Sequence, residues 1–295
     1  MRNDIKSITD ALNLEFKNKY LLNEELNNIQ KRTLSRIEEY VIENYSVNDW
    51  IYFLNHSYFK DIKKFEDNVV KNNNAFSLLN FAQKVNGANI NRLQEEVIKR
   101  NQPSVMYEFA KSVKGADVKA LQNVICNCND ALVIFNFAKD IKNADINKLE
   151  QAIINTNNAE YITMFAKQIK DANLSNLEDA LIETENCRYM FDFARDVKNA
   201  NISKIVDRVA KIGNAGYIYA FANYIKGVNM NKLVNALIGA ETQDKYGYLV
   251  MLNKSSVLEK DIDNKNKINN FLKMELNENK KAKDVLKNIE AELIK

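Results

Sequence analysis

Few side chains in this sequence are of the kind that make or break bonds. The single histidine is His56, Cys126 and Cys128 form a C-x-C pair with no histidine beside them, and Cys187 stands alone. A zinc site draws its nitrogen and sulfur ligands from such residues in a cluster, so the cysteines read as small apolar residues. Their odd count fits a reducing compartment. No phosphate-binding loop, nucleophile elbow or zincin spacing occurs. Carboxylates such as Glu95, Glu96 and Asp207 form no pair that the sequence singles out for acid–base work. No catalytic residue, metal ligand or cofactor is assigned, and the chain is expected not to be an enzyme.

What does recur is a set of polar columns that could bind rather than react. One reads Gln83, Lys111, Lys139, Lys167, Arg195, Asn223 and another Asn86, Lys114, Lys142, Lys170, Lys198, Lys226, each step being 28 residues. Three residues apart within a repeat, the two are expected on one face of a helix. Neighbouring helices pack about 10 Å apart, so such a basic ladder would track the phosphates of a nucleic acid. Lysines in a last helical turn also complement the helix dipole with no ligand at all. Leu79, Tyr107, Phe135, Thr163, Phe191 and Tyr219 stand four residues before the first basic column. They read as core between hairpins rather than as platforms for bases. A further set presents a polar triplet per repeat: Asn147, Lys148, Gln151; Ser175, Asn176, Asp179; Ser203, Lys204, Asp207. Varied polar side chains in register are what a modular protein-binding face would offer, and a merely solvated face has the same composition.

The elements that position these columns are read from the apolar pattern. Phe81, Phe109, Phe137, Phe165, Phe193 and Phe221 mark six repeats without an insertion, with Phe53 in register upstream. A fixed period of this length is the signature of a solenoid, whose units bury their apolar faces only against neighbours. Around Phe165 one apolar set, Tyr161, Ile162, Phe165, Ala166 and Ile169, and another, Leu174, Leu177, Leu181 and Ile182, are each helical in spacing. The phase slips between them, so each unit is two short helices and not a stretch of coiled coil. The column Gly87, Gly115, Asn143, Asp171, Asn199, Gly227 suits a left-handed residue, expected just past the end of the first helix. Asn89, Asp117, Asp145, Asn173, Asn201 and Asn229 supply caps for the second helix, and Asn74, Gln102, Asp130, Asn158, Asn186 and Asn214 precede the first. The only proline, Pro103, falls at the first helical position.

Composition agrees with helix. Hydrophobic residues make up 46% of the 295, and seven glycines with one proline are too few turn formers for an all-β chain. Lys plus Arg number 42 against 39 Asp plus Glu, a net +3 that carries no whole-chain nucleic-acid signature. No apolar run approaches the roughly 20 residues of a membrane span. The stretch MRNDIKSITDALNLEF lacks the continuous apolar segment of a signal peptide. A cytoplasmic location without membrane association is expected.

The motif in FAKDIKNADINKL and FARDVKNANISKI resembles helical-hairpin repeats of low-GC Gram-positive bacteria and their phages, a group of unassigned function. More loosely, residues 46–252 resemble HEAT-type α-solenoids, in which second helices usually line the concave face. That resemblance implies macromolecular recognition by analogy. The chain departs from HEAT units in its shorter repeat and in lacking their usual proline and arginine positions. The expected fold is all-α, a right-handed, HEAT-like α-solenoid of tandem two-helix repeats with divergent caps. Residues 1–45 form the N-terminal cap, 46–252 the repeats and 253–295 a polar C-terminal cap. In that last segment Ile268, Phe271, Leu272, Val285, Leu286 and Ile289 offer an edge for oligomerisation. The expected function is a scaffold binding a protein along the second helices. Two alternatives stand beside it: nucleic-acid binding through the lysine ladder on the first helices, and a phage-related defence or anti-defence factor acting by occlusion. Phe165→Ala in a middle unit is expected to cost more than Phe53→Ala near the divergent end.

Overall fold

The computed structural model describes residues 3–71 and 74–278. They are all-α, with no strand among the described residues. The chain divides into two compact units, Met1–Ala144 and Asp145–Lys295. Each is a run of helices packed on their sequence neighbours, the arrangement of an all-α solenoid. The first unit opens with two long helices, α1 (Asn3–Leu21) and α2 (Asn28–Asn44). It continues with α3 (Val47–His56), α4 (Ile62–Lys71), α5 (Ala75–Lys84), α6 (Ile90–Lys99), α7 (Pro103–Ser112), α8 (Val118–Ile125) and α9 (Ala131–Asp140). The second unit holds α10 (Ile146–Asn155), α11 (Ala159–Gln168), α12 (Leu174–Glu183), α13 (Cys187–Asp196), α14 (Ile202–Ile212), α15 (Ala215–Tyr224) and α16 (Met230–Gly239). It ends with α17 (Lys245–Lys254), a 3-10 turn at Ser256–Leu258, and α18 (Ile262–Glu278).

From α3 to α15 the odd-numbered helices are the first helices of the repeat, and from α4 to α16 the even-numbered are the second. First helices pack on first helices, α5 on α7 and α11 on α13, and second on second, α4 on α6 and α12 on α14. The anchor phenylalanines Phe53, Phe81, Phe109, Phe137, Phe165, Phe193 and Phe221 are wholly buried, as are Leu93, Leu121, Leu149, Leu177, Ile205 and Leu233 of the second helices. Trp50 joins this core and donates its indole N–H to the Val41 carbonyl at 3.1 Å. Such burial stabilises each large side chain by about 1.5–3 kcal/mol, and no single hairpin could achieve it alone.

Capping follows the sequence pattern. Asn89, Asp117, Asp145, Asn173, Asn201 and Asn229 each accept a backbone N–H of the second helix they open. Asn74, Asp130, Asn158, Asn186 and Asn214 do the same for first helices. Gln102 makes no such bond, and there Pro103 at the first helical position removes one N–H that would need a partner.

The left-handed column is real but lies one step further on than expected. Val85, in extended conformation, already ends α5. Gly87, at φ 88°, is the third residue of a tight turn closed by the Ala88 N–H donating to the Val85 carbonyl at 3.3 Å. Gly115, Asn143, Asp171, Asn199 and Gly227 repeat the positive φ. A second left-handed column, Asn101, Asn129, Asn157, Glu185 and Gly213, follows the second helices.

Ile268 and Leu272 are buried inside the second unit, and Phe271 stacks on Tyr246 with ring centroids 6.3 Å apart. These three positions of α18 are therefore spent on α16 and α17 rather than left for a second copy. Val285, Leu286 and Ile289 lie outside the described residues.

Phe53 is as buried as Phe165 and packs on Phe65 at 5.7 Å between ring centroids, so burial gives no reason for a smaller loss near the N-terminal end. Phe53→Ala and Phe165→Ala should each lower unfolding stability by about 3–5 kcal/mol in denaturant titration. The backbone makes a separate prediction. A Cβ on Gly115 would meet nothing within 4 Å, yet Gly115→Ala should cost about 1–2 kcal/mol through its left-handed φ alone. Glu185→Gly, at φ 56°, gives up an exposed pair with Arg208 contributing about 0–1 kcal/mol but relieves the left-handed strain, and should raise the melting temperature.

Candidate partner-binding surface

On the second helices a column whose acids Glu150 and Glu178 read in the sequence as outer charges offsetting the basic row decides how one hairpin sits on the next. Glu38, Glu66, Gln94, Gln122, Glu150 and Glu178 recur every 28 residues, and all six are buried. Each side chain with a resolved partner reaches the backbone N–H 23 residues on, at or beside the cap of the following second helix. Glu38 accepts from Asp61 at 2.7 Å, Glu66 from Asn89 at 2.5 Å, Glu150 from Asn173 at 2.6 Å and Glu178 from Asn201 at 2.7 Å. Gln94 forms the neutral version, accepting from the Asp117 N–H at 2.8 Å and donating to its carbonyl at 3.1 Å. A buried polar group with such partners is tolerated; without them it would cost several kcal/mol. The acids Glu150 and Glu178 thus belong to the interior and add nothing to the outer charge pattern.

The triplets lie where the helical spacing puts them. Asn147, Lys148, Gln151, Ser175, Asn176, Asp179, Ser203 and Asp207 are exposed and Lys204 is partly so. They are not all free to bind. Asp179 pairs with Lys204 and Asp207 with Lys232, in each case 25 residues on and one hairpin further. The first unit has the same step in Glu39 with Lys64 at 2.9 Å and Asp67 with Arg92 at 2.6 Å. Asn176 turns inward and donates to Glu150 at 3.1 Å.

The basic ladder is split by the structure into two rows of different character. Lys111 lies in the last turn of α7 and bonds to Asp140 at 2.7 Å and the Tyr107 hydroxyl at 2.8 Å. Lys167 meets Asp196 at 2.9 Å, and Arg195 grips Asp196 at 2.8 Å and Asp192 at 2.9 Å. Lys139 sits over the Phe135 ring, 5.6 Å from its centroid. The hydrogen bonds from Lys111, then Tyr107, hold Asp140 below the usual carboxylate range; those from Arg195, then Lys167, do so for Asp196. This row is largely neutralised. The other row, Lys114, Lys142, Lys170, Lys198 and Lys226, is not on the helices at all. It occupies the turns after α7, α9, α11, α13 and α15, exposed and with no ion pair among the described residues. The two basic columns therefore do not share a helical face.

The aromatic column is mostly interior. Leu79, Tyr107, Phe135 and Thr163 are buried; Phe191 meets Phe221 edge-on at 5.5 Å and Tyr219 stacks on Tyr248 at 5.4 Å. His56 is exposed, stacked on Tyr52 at 4.1 Å and bonded through Nδ1 to the Tyr52 carbonyl at 2.7 Å. Burial pushes the Cys128 and Cys187 thiols up from their ordinary values, which disfavours the thiolate. Among the described residues no group of three His, Cys, Asp or Glu could hold a metal ion, and no helix is long and apolar enough to cross a membrane.

The buried column yields a test. Burial, the largest influence, raises the Glu38 carboxyl above its ordinary 4.5 against the opposing Asp61 N–H and Lys64. An acid raised by folding contributes its full stability below its unfolded value and loses it as pH rises through the folded value. Glu38→Gln can keep the bond from the Asp61 N–H and, in the manner of Gln94, donate a second to the Asp61 carbonyl. It should therefore be neutral or stabilising by about 1 kcal/mol at pH 7, with the advantage shrinking below pH 4.5 in thermal melts. Glu150→Ala, which orphans the Asn173 N–H, should instead cost about 2–4 kcal/mol. Comparison with known protein families, curated proteins and solved structures finds no match to this chain.

Proposed function

We propose that the chain is a non-enzymatic recognition scaffold that binds a protein partner along the exposed face of its second helices. In the second unit this face comprises α10, α12, α14 and α16. The supporting observation is the ion-pair ladder of Asp179 with Lys204 and Asp207 with Lys232. Exposed pairs of this kind add little stability. Their consequence is order: charged side chains held in one arrangement before a partner arrives lose less entropy on binding. Alternating charge in fixed register also suits a partner with its own mixed pattern more than a uniform polyanion. The resemblance to HEAT-type solenoids points the same way. Nucleic-acid binding through the first helices has less support, because Lys111, Lys167 and Arg195 already face carboxylates.

The ladder permits a test that separates folding from recognition. Exchanging Asp179 and Lys204 for one another, together with Asp207 and Lys232, preserves every inter-hairpin pair while inverting the charges shown to a partner. The fourfold exchange should leave the melting temperature within a few degrees, since exposed pairs contribute about 0–1 kcal/mol each. It should abolish the protein capture expected of the native sequence in nuclease-treated extract. Undiminished capture by the exchanged protein would place recognition on another surface.

A further inference from the structure

The turns between paired helices form a second surface, whose lysines make no ion pair among the described residues. In the Asp145–Lys295 unit it carries Lys170, Lys198 and Lys226 at equivalent positions of three consecutive hairpins, all exposed. Between the turns after α13 and α15 lies an open hollow of about 380 Å³. Val197, Ile202 and Ile225 contribute apolar lining, while Arg195, Tyr224 and Lys226 add two cations and an aromatic ring that is 63% exposed. Arg195 is held in place by Asp192 and Asp196, so Lys226 is the hollow's cation that has no ion pair among the described residues. Apolar lining, an available aromatic face and one free cation suit a short side-chain-bearing segment with a carboxylate beside an apolar group.

We propose that this turn edge binds an extended acidic segment of a partner protein, with a carboxylate at every third residue. The periodicity follows from geometry. Helices in successive hairpins pack about 8–10 Å apart, which sets the spacing of the three lysines. A polyproline-type segment advances about 3.1 Å per residue with three residues per turn, so residues i, i+3 and i+6 fall on one side about 9 Å apart. A single-stranded nucleic acid fits less well, since the apolar lining of Val197, Ile202 and Ile225 gives a sugar–phosphate backbone nothing to bury; Asp171, which adjoins Lys170 in the same turn, opposes a carboxylate and a phosphate alike. This site is separate from the second-helix face, so the two proposals can fail independently.

Fluorescence anisotropy of the full chain at low salt decides the matter with three probes. One is a labelled peptide of Glu-Pro-Pro repeats, the second has the same composition with its glutamates in one block, and the third is a 12-nucleotide oligothymidine. The periodic peptide should bind at least about tenfold more tightly than the other two. Lys198→Gln with Lys226→Gln should remove about tenfold of that affinity, whereas Lys114→Gln with Lys142→Gln in the first unit and the exchanged second-helix ladder should leave it unchanged. Equal binding of the two peptides, binding led by the oligonucleotide, or no effect of the Lys198 and Lys226 changes would each overturn the proposal.

Discussion

The interaction on which the repeat depends is a hydrogen bond between a buried Glu or Gln side chain and the backbone N–H that starts the next second helix. Apolar packing alone would let one hairpin slide or rotate on another at little cost, because leucine and phenylalanine surfaces are non-directional. A buried oxygen that must meet one N–H removes that freedom. From Glu66 to Asn89 and from Glu178 to Asn201 the bond spans the same 23 residues, so each copy sets the same step. The acceptor also sits where the helix N-terminus carries partial positive charge, which compensates a buried carboxylate better than a single neutral donor would. Neutral Gln94 performs the same task by using both ends of its amide, which indicates that position and geometry matter more than charge.

Two outer ladders follow from that register. Second helices are joined at a step of 25 residues, as in Asp179 with Lys204, and first helices at 29, as in Lys111 with Asp140 and Lys167 with Asp196. Together they consume Lys111, Lys167, Asp179, Lys204 and Asp207 among the charges that the sequence pattern assigns to binding. What is left is positional: cations in the turns, beyond reach of the acids on either helix. An exposed lysine there is heavily hydrated and contributes little to stability. It makes no ion pair among the described residues, whereas the ladders present nearly neutral pairs. The near balance of charge over the chain thus conceals a local separation.

The elements and their caps were legible because they rest on local rules. Asn173 and Asn158 cap helices through their own side chains within three residues, and the phenylalanine period needs no partner information. Two features were not legible. Glu150 stands beside Leu149 amid polar neighbours, and its column reads as solvated because burial of an acid depends on an N–H 23 residues away. Lys114 and its equivalents were placed on a helix because a three-residue spacing from Lys111 continues the helical face. The chain in fact leaves the helix at Val113, whose N–H makes the last bond, to the Phe109 carbonyl. The column Asn101, Asn129, Asn157, Glu185, Gly213 did carry a left-handed signal, diluted by its one glutamate.

The register bond also has an end. At the positions following Glu178 the column becomes Val206 and Val234, both buried, and no side chain takes the Asn229 N–H among the described residues. Valine packs more favourably than a desolvated acid but specifies less. Register there has other guardians: Lys267 of α18 donates to Asn231 at 2.6 Å and Asn235 at 2.9 Å on α16, and Tyr246 donates to Glu275 at 2.6 Å. In the middle of an array every hairpin must be told its place by its neighbour, so the polar bond recurs despite its desolvation cost. Toward α18 the Asp207–Lys232 pair still joins α14 to α16, contacts from α18 fix α16 and α17, and the interface is filled with apolar side chains. The change from glutamate to valine therefore marks the passage from an interface set by a buried polar bond to one set by apolar packing and an outer ion pair.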